Sequence, residues 1–160
     1  MRVSGLAPTE KEGRRTMRGL LKYWSPLVIW LVAIFYFSTD AMSAGNTSRI
    51  VEPLVRWLHP NATYATIEGV HVAIRKAGHV SEYGLLALLS YRAVRWGREA
   101  QWRWTWAAIA WTIAVAYAFT DEFHQSFVGT RTGTIHDVYV DAVGAACVLL
   151  ALAWWRLRRR

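Results

Sequence analysis

Three short segments of the sequence carry ionisable side chains at spacings that suit acid–base chemistry or the binding of a charged ligand. In the first, Lys76, His79 and Tyr83 are three and four residues apart, so they share one side of a helix. Imidazole exchanges protons near neutral pH, and an ammonium group attracts anions. His79 is therefore a candidate catalytic acid or base, with Glu82 or Asp121 as its partner. Lys76 and Tyr83 are candidate binding groups.

The second segment, TDEFHQ at 120–125, ends an apolar run. Asp121 and Gln125 are four residues apart and share a helix face, whereas Glu122 points about 100° away from Asp121. Solvated acids at a helix end are the plain alternative. The functional interpretation makes Asp121 and Glu122 candidate catalytic carboxylates and Gln125 a candidate binding residue.

The third segment, GTRTGTIHDVYVDAVGAA at 129–146, places Asp137 and Asp141 four residues apart on one helix face. An acid that faces lipid costs about 3 kcal/mol or more at the bilayer centre, so Asp141 should face other helices and find a partner. Arg131, Lys76 and His79 are the partners considered. We predict Asp137 as a catalytic candidate, and Asp141 and Arg131 as binding residues. A purely structural buried ion pair is the alternative for Asp141.

Metal chemistry is less well indicated by the sequence. Oxygen-rich ligand sets suit Mg²⁺ or Mn²⁺, and Asp121, Glu122, Asp137 and His79 would form such a set. These residues lack the tight spacing of a recognised metal motif, and no zinc motif, phosphate-binding glycine loop or nucleophile elbow occurs. We therefore predict no metal site from the sequence.

The elements that must position these residues are apolar blocks of membrane-crossing length. The 160 residues are 54% hydrophobic, and the apolar residues gather in blocks of a length that suits a helix crossing a bilayer. The blocks are 23–39, 77–94, 102–119 and 135–155. We predict an all-α, polytopic membrane helix bundle with about four transmembrane helices. The transmembrane domain spans 23–155, between a basic tail at 1–22 and a basic C-terminus at 156–160.

The charges predict an orientation for this bundle. Fourteen of the nineteen Lys and Arg residues fall on one side, in the N-terminal tail, the 92–103 loop and the C-terminus. Such an excess marks cytoplasmic segments, so both termini are predicted to be cytoplasmic in the inner membrane. Several Trp residues lie at the same ends of the blocks. The three ionisable segments then share the outer face, and the net charge of +8 reflects orientation instead of nucleic-acid binding.

Two features of the N-terminal third need their own interpretation. The segment 47–59 places apolar residues at helical spacing, with Thr47 and Ser48 as possible caps, and predicts a short interfacial helix. The segment 63–76 is predicted to continue as helix into the second span. A cleaved signal peptide ending near Ala41-Met42-Ser43 is the alternative for the first block.

The polar segments taken in order resemble the VanZ-like membrane proteins, which are named after a protein associated with resistance to the glycopeptide teicoplanin. The resemblance rests on K76-A-G-H79-V-S-E-Y83, D121-E122-F-H-Q125 followed by R131, and D137-V-Y-V-D141-A-V-G144. Two positions depart from the family's usual pattern: VGTR lacks its proline, and Asp141 stands where Asn is frequent. The resemblance implies a polytopic cell-envelope protein and an antibiotic-resistance type of role. It brings no known reaction.

Three functions remain open at this stage. An outer-face polar pocket would act on a membrane lipid or a lipid-linked envelope precursor, with Lys76 and Arg131 holding an anionic head group. A non-catalytic protein would bind a lipid or a glycopeptide, or move an ion. A structural bundle would use the polar cluster for helix packing.

Overall fold

The chain folds into helices throughout the residues that the computed structural model describes, which are 10–39, 44–96, 98, 101–127 and 134–159. Five helices and no strands occur in these residues. The helices are α1 (Glu10–Phe37), α2 (Ala44–Leu58), α3 (Tyr64–Arg95), α4 (Trp104–Gln125) and α5 (Ile135–Arg158). The all-α prediction is confirmed. Each predicted apolar block falls almost wholly within one helix: block one in α1, and the others in α3, α4 and α5.

The centre of the molecule is a bundle of α3, α4 and α5, in which all three helices contact one another. On α4 the buried stripe consists of alanines spaced three or four apart: Ala107, Ala110, Ala114 and Ala118. Small residues let helix backbones approach closely, which is how helices pack where burial of apolar side chains supplies little driving force. The same helix face continues into Asp121 and Gln125, so it becomes polar at its C-terminal end.

Helices α3 and α5 meet through two glycines. A Cβ atom at Gly144 would lie 3.1 Å from Val80 Cα, which is backbone of α3. A Cβ at Gly84 would lie 2.8 Å from Val148 Cγ2. Gly144 therefore permits a close helix contact, and the partner helix is α3. This contact brings the face of α3 that carries His79 against the face of α5 that carries Asp141.

The contacts also define helix direction. Pairs Val80–Gly144 and Gly84–Val148 show that α3 and α5 run parallel. Helix α4 runs antiparallel to both, since Tyr91 near the end of α3 stacks on Trp102 just before α4, with ring centroids 4.8 Å apart. One end of the bundle therefore holds the 92–103 connection and the C-terminus of α5. The opposite end holds the polar segments of all three helices.

Helix α1 packs against this bundle. Trp30 Nε1 donates to the backbone oxygen of Glu82 at 3.0 Å, and Tyr117 Oη donates to the backbone oxygen of Leu31 at 2.6 Å. The helix begins at Glu10, so residues 10–22 of the predicted basic tail are helical.

Pro26 lies inside α1, because the helix begins well before it, at Glu10. Proline lacks the N–H that would bond to the carbonyl four residues earlier, here that of Lys22. Arg92 Nη2 of α3 donates to this carbonyl oxygen at 2.9 Å. A contact between helices thus satisfies the group that proline leaves free.

Helix α3 begins well before the apolar block that it contains, as predicted. Thr63 caps it, with Thr63 Oγ1 accepting from the Thr66 N–H at 3.3 Å. At about 1.5 Å per residue its 32 residues exceed the roughly 30 Å hydrocarbon thickness of a bilayer. The N-terminal part therefore extends beyond the central bundle, where α2 packs on it.

Helix α2 confirms that a short helix lies between α1 and α3, although its start differs from the prediction. It begins at Ala44, so Thr47 and Ser48 lie inside the helix and not at its N-cap position. Its Val51 is buried, as is Ile67 of α3. One apolar face of α2 remains exposed: Ile50, Leu54, Trp57 and Leu58.

Two of the helices are long and apolar enough to cross a membrane by length and composition: Met17–Phe37 and Ile135–Arg158. Only 11% of the first and 33% of the second apolar window are buried, so most of their apolar residues face outward. This is consistent with a membrane protein. Helices α3 and α4 do not meet this criterion of length and composition. The four-span arrangement stays a prediction.

Candidate functional site

The polar segments of α3, α4 and α5 meet at one end of the central bundle. Each helix carries a small or apolar stripe through the middle of the bundle and polar residues at this end. The residues that meet there are Lys76, His79, Tyr83, Asp121, Glu122, Gln125, Asp137 and Asp141. We call this set, together with Arg75, the polar cluster.

His79 and Asp141 form the innermost contact of the polar cluster. His79 Nδ1 lies 3.3 Å from Asp141 Oδ1 and 3.4 Å from Asp141 Oδ2. The Asp141 side chain is fully buried, and that of His79 is 12% exposed. His79 is thus one of the three partners considered for Asp141.

Asp121 is held by two neutral donors. Tyr83 Oη donates to Asp121 Oδ2 at 3.0 Å, and Gln125 Nε2 donates to the same oxygen at 3.1 Å. All three residues are buried. The rings of His79 and Tyr83 stack with centroids 6.4 Å apart, which places the two carboxylate contacts side by side on α3.

Asp137 lies at the outer edge, where two cations approach it. Arg75 Nη2 lies 3.7 Å from Asp137 Oδ2, and Lys76 Nζ lies 3.9 Å from Asp137 Oδ1. The Arg75 and Lys76 side chains are 48% and 37% exposed, against 13% for Asp137. The polar cluster therefore grades from exposed cations to the buried carboxylate of Asp141. Ion pairs this long and this exposed contribute little stability, so the cations are free to meet a ligand.

Glu122 lies in the last turn of α4, beyond the predicted span 102–119. The backbone N–H of Thr134 donates to Glu122 Oε2 at 2.7 Å, which ties the end of α4 to the start of α5. Thr134 also caps α5, since its side chain accepts from the Asp137 N–H. Burial raises the pKa of the Glu122 carboxyl group, and the bond from Thr134 opposes this shift.

Eight of the nine residues predicted for the site belong to the polar cluster. The ninth, Arg131, lies outside the described residues. Sequence reasoning missed Arg75 and Thr134. Arg75 directly precedes Lys76, so its charge was a visible signal. Thr134 acts through its backbone N–H, which any residue except proline supplies, so nothing in its type marked it.

The opposite end of the bundle is basic and aromatic. Arg158 lies over the Trp154 ring and Arg159 over the Trp155 ring, each 4.1 Å from the centroid. Arg103 lies 4.9 Å from the Trp106 ring centroid. Such cation–aromatic pairs are typical of the interface between a bilayer and water.

Fold and site together define a class: small all-helical proteins with membrane-type helices, a basic aromatic end and a cluster of ionisable side chains at the other end. The chain matches the family model described as VanZ/LLP1 over residues 23–156. It belongs to this VanZ-like family, as the sequence motifs indicated, and membership suggests a role of the VanZ type. No curated protein and no solved structure matches the chain.

Proposed function

We propose that this protein is a multi-pass protein of the inner membrane that binds the anionic head group of an envelope lipid or lipid-linked precursor at the polar cluster and acts on it there. Arg75 and Lys76 attract the head group, and the His79–Asp141 pair supplies the group that exchanges a proton with it. The polar cluster contains three further carboxylates, those of Asp121, Glu122 and Asp137.

The observation that carries the proposal is the arrangement of charge and exposure in the polar cluster: exposed cations lie at its edge, and a buried carboxylate lies deepest. A cluster that served helix packing alone would need no cations at its outer edge, whereas an anionic ligand needs them. The buried His79–Asp141 contact lies deeper, where low polarity strengthens electrostatic interactions with a bound ligand.

Sidedness follows from the two ends of the bundle. Segments rich in Lys and Arg stay in the cytoplasm, so the basic end is assigned to the cytoplasmic face and the polar cluster to the outer face. The exposed apolar face of α2 suits a helix that lies in the outer interface next to the cluster. Both termini are then cytoplasmic.

The test is a lipid-binding and turnover measurement on the purified full chain. The protein is placed in bilayer discs of phosphatidylcholine with or without phosphatidylglycerol, and bound and altered lipids are measured by mass spectrometry. We expect R75Q/K76Q to weaken capture of the anionic lipid about tenfold or more. The matched control K22Q removes a cation from the basic end and should leave capture unchanged.

The variants H79A and D121N separate the remaining alternatives. Normal expression and folding with loss of a lipid product support an enzyme, and retained binding with no product in any variant supports a binding protein. Loss of stability with no change in lipid or glycopeptide binding would mean that the polar cluster serves packing, and the proposal would then be wrong.

A further inference from the structure

Three side chains of the polar cluster are arranged as ligands of one ion. His79 of α3, Glu122 of α4 and Asp141 of α5 each offer one ligand atom, and these atoms all lie within 4.8 Å of one another. This set differs from the one that the sequence suggested, because Asp121 is occupied by Tyr83 and Gln125 and Asp137 lies farther out.

Two buried carboxylate oxygens in this set make no hydrogen bond to the described part of the chain. They are Glu122 Oε1 and Asp141 Oδ1, and the second of these lies 3.3 Å from His79 Nδ1 without the geometry of a hydrogen bond. Glu122 is 6% exposed and Asp141 is 1% exposed. A buried polar atom without a partner costs about 1–3 kcal/mol, and more when it is charged, so such atoms generally have a ligand, ion or water.

The charges also fit a divalent cation. Two ionised carboxylates beside a neutral imidazole carry two negative charges, and a divalent ion neutralises both. The cations described near the cluster, Arg75 and Lys76, pair with Asp137. Removing one partner from buried charges is strongly destabilising, so an ion at this position removes a real cost.

The ligand types indicate which ion fits. One imidazole nitrogen with two carboxylate oxygens suits Zn²⁺ or Mn²⁺ better than Ca²⁺, which takes six to eight oxygen ligands. Ligands about 2.1 Å from an ion lie about 3–4 Å apart, so the widest pairs close slightly on binding. His79 Nδ1 and Asp141 Oδ1, at 3.3 Å, already have this separation.

We propose that His79, Glu122 and Asp141 bind a divalent transition-metal ion, Zn²⁺ or Mn²⁺, at the junction of α3, α4 and α5. The inference rests on the proposed function only in placing the ion beside the bound head group. In the metal-loaded protein His79 is a ligand, and the ion takes the place of the proton between Nδ1 and the carboxylate. The ion then meets the anionic head group with its remaining coordination positions.

Metal binding is tested without any lipid substrate. The purified full chain is stripped with a chelator and titrated with Zn²⁺ by calorimetry and with Mn²⁺ by electron paramagnetic resonance. We expect about one ion per chain, and a loss of affinity of tenfold or more in each of H79A, E122Q and D141N. E68Q removes an exposed acid of α3 and should bind the ion as the unmodified chain does.

Variants that fail to fold are recognised by circular dichroism and size exclusion. In that case the loss of metal affinity is measured with E122Q, at the end of α4, and with the more conservative H79Q. A Co²⁺ absorption spectrum adds a readout that mere destabilisation does not change, because removing a nitrogen ligand shifts its bands. No binding to the unmodified chain, or equal binding by all variants, would overturn the inference.

The two proposals fail separately. Lipid capture by a metal-free protein that never binds an ion would end the metal inference and leave the proposed function. Stoichiometric metal binding with no effect of R75Q/K76Q on lipid capture would end the proposed function and leave the metal inference.

Discussion

At the scale of single residues, the polar cluster shows that buried polar groups obtain partners from other helices. Asp121 is bound by Tyr83 across the α3–α4 contact and by Gln125 on its own helix. Asp141 lies against His79 across the α3–α5 contact. These bonds are made deep in the bundle, where an unpaired group is costly, so each partner residue contributes to stability as well as to the chemistry.

The contribution of one such bond to stability can be measured by removing the hydroxyl group of Tyr83. Tyr83→Phe removes the donor from Asp121 and leaves the ring in place, and we expect the free energy of unfolding to fall by about 1–3 kcal/mol. Reversible unfolding in mixed detergent, followed by circular dichroism, checks the value. Tyr64→Phe is the control, because Tyr64 is 79% exposed and should change stability little. Equal effects of the two substitutions would show that the Tyr83 bond contributes nothing.

At the scale of elements, backbone proximity and proline decide how helices pack. Gly144 brings the backbones of α3 and α5 together, and this contact sets the register in which His79 meets Asp141. Pro26 leaves a carbonyl in α1 that Arg92 of α3 satisfies. Hydrophobic periodicity predicts neither feature. It indicates which face of a helix is apolar, but it does not indicate which groups on two helices will contact each other.

Gly144→Ala should destabilise the bundle, although alanine favours helix by about 1 kcal/mol over glycine. The new Cβ would lie 3.1 Å from Val80 Cα, and a backbone atom moves only with its helix. We expect a net loss of about 1–3 kcal/mol, measured by the same unfolding assay. Gly69→Ala is the matched control in α3, since a Cβ there meets nothing within 4 Å. It should be neutral or stabilising, and a similar loss at both sites would refute the packing argument.

The Pro26–Arg92 pair predicts a non-additive double substitution. Arg92→Gln alone removes the donor to the Lys22 carbonyl and should cost about 0.5–1.5 kcal/mol. Pro26→Ala restores the helical N–H to that carbonyl, so the Arg92 substitution should cost less in its presence. A double-mutant cycle of unfolding free energies measures the coupling. Strict additivity would show that the Arg92 bond is unrelated to the proline.

At the scale of the whole molecule, the two ends differ in charge and in chemistry. One end carries the Arg–Trp pairs, and the other carries the polar cluster and the exposed apolar face of α2. The outward-facing apolar residues of α1 and α5 lie between them. A molecule of this kind is expected to sit across a bilayer with the basic end in the cytoplasm.

Labelling of single cysteines tests this orientation. After Cys147→Ser, a cysteine is introduced by Asn61→Cys, in the α2–α3 connection, or by Arg98→Cys, in the α3–α4 connection. A membrane-impermeant maleimide added to intact cells should label Asn61→Cys, and should label Arg98→Cys only after the membrane is permeabilised. Labelling of the Arg98 variant in intact cells would invert the orientation and place the polar cluster in the cytoplasm.

Much of this architecture follows from local sequence. The apolar blocks predict α1, α3, α4 and α5 because each block is as long as a helix that crosses a bilayer, and the Lys/Arg distribution marks one end because charge acts over a whole segment. The spacing of Asp121 from Gln125, and of Asp137 from Asp141, puts each pair on one helix face wherever the helices lie.

Only the tertiary structure decided which of these groups meet. That His79 contacts Asp141, that Arg75 and Lys76 approach Asp137, and that Glu122 joins His79 and Asp141 in one ligand set depends on the parallel α3–α5 register. That register comes from Gly84 and Gly144, where absent side chains permit contact. Spacing along one helix is a local property, whereas a distance between helices is the outcome of how all their surfaces pack together.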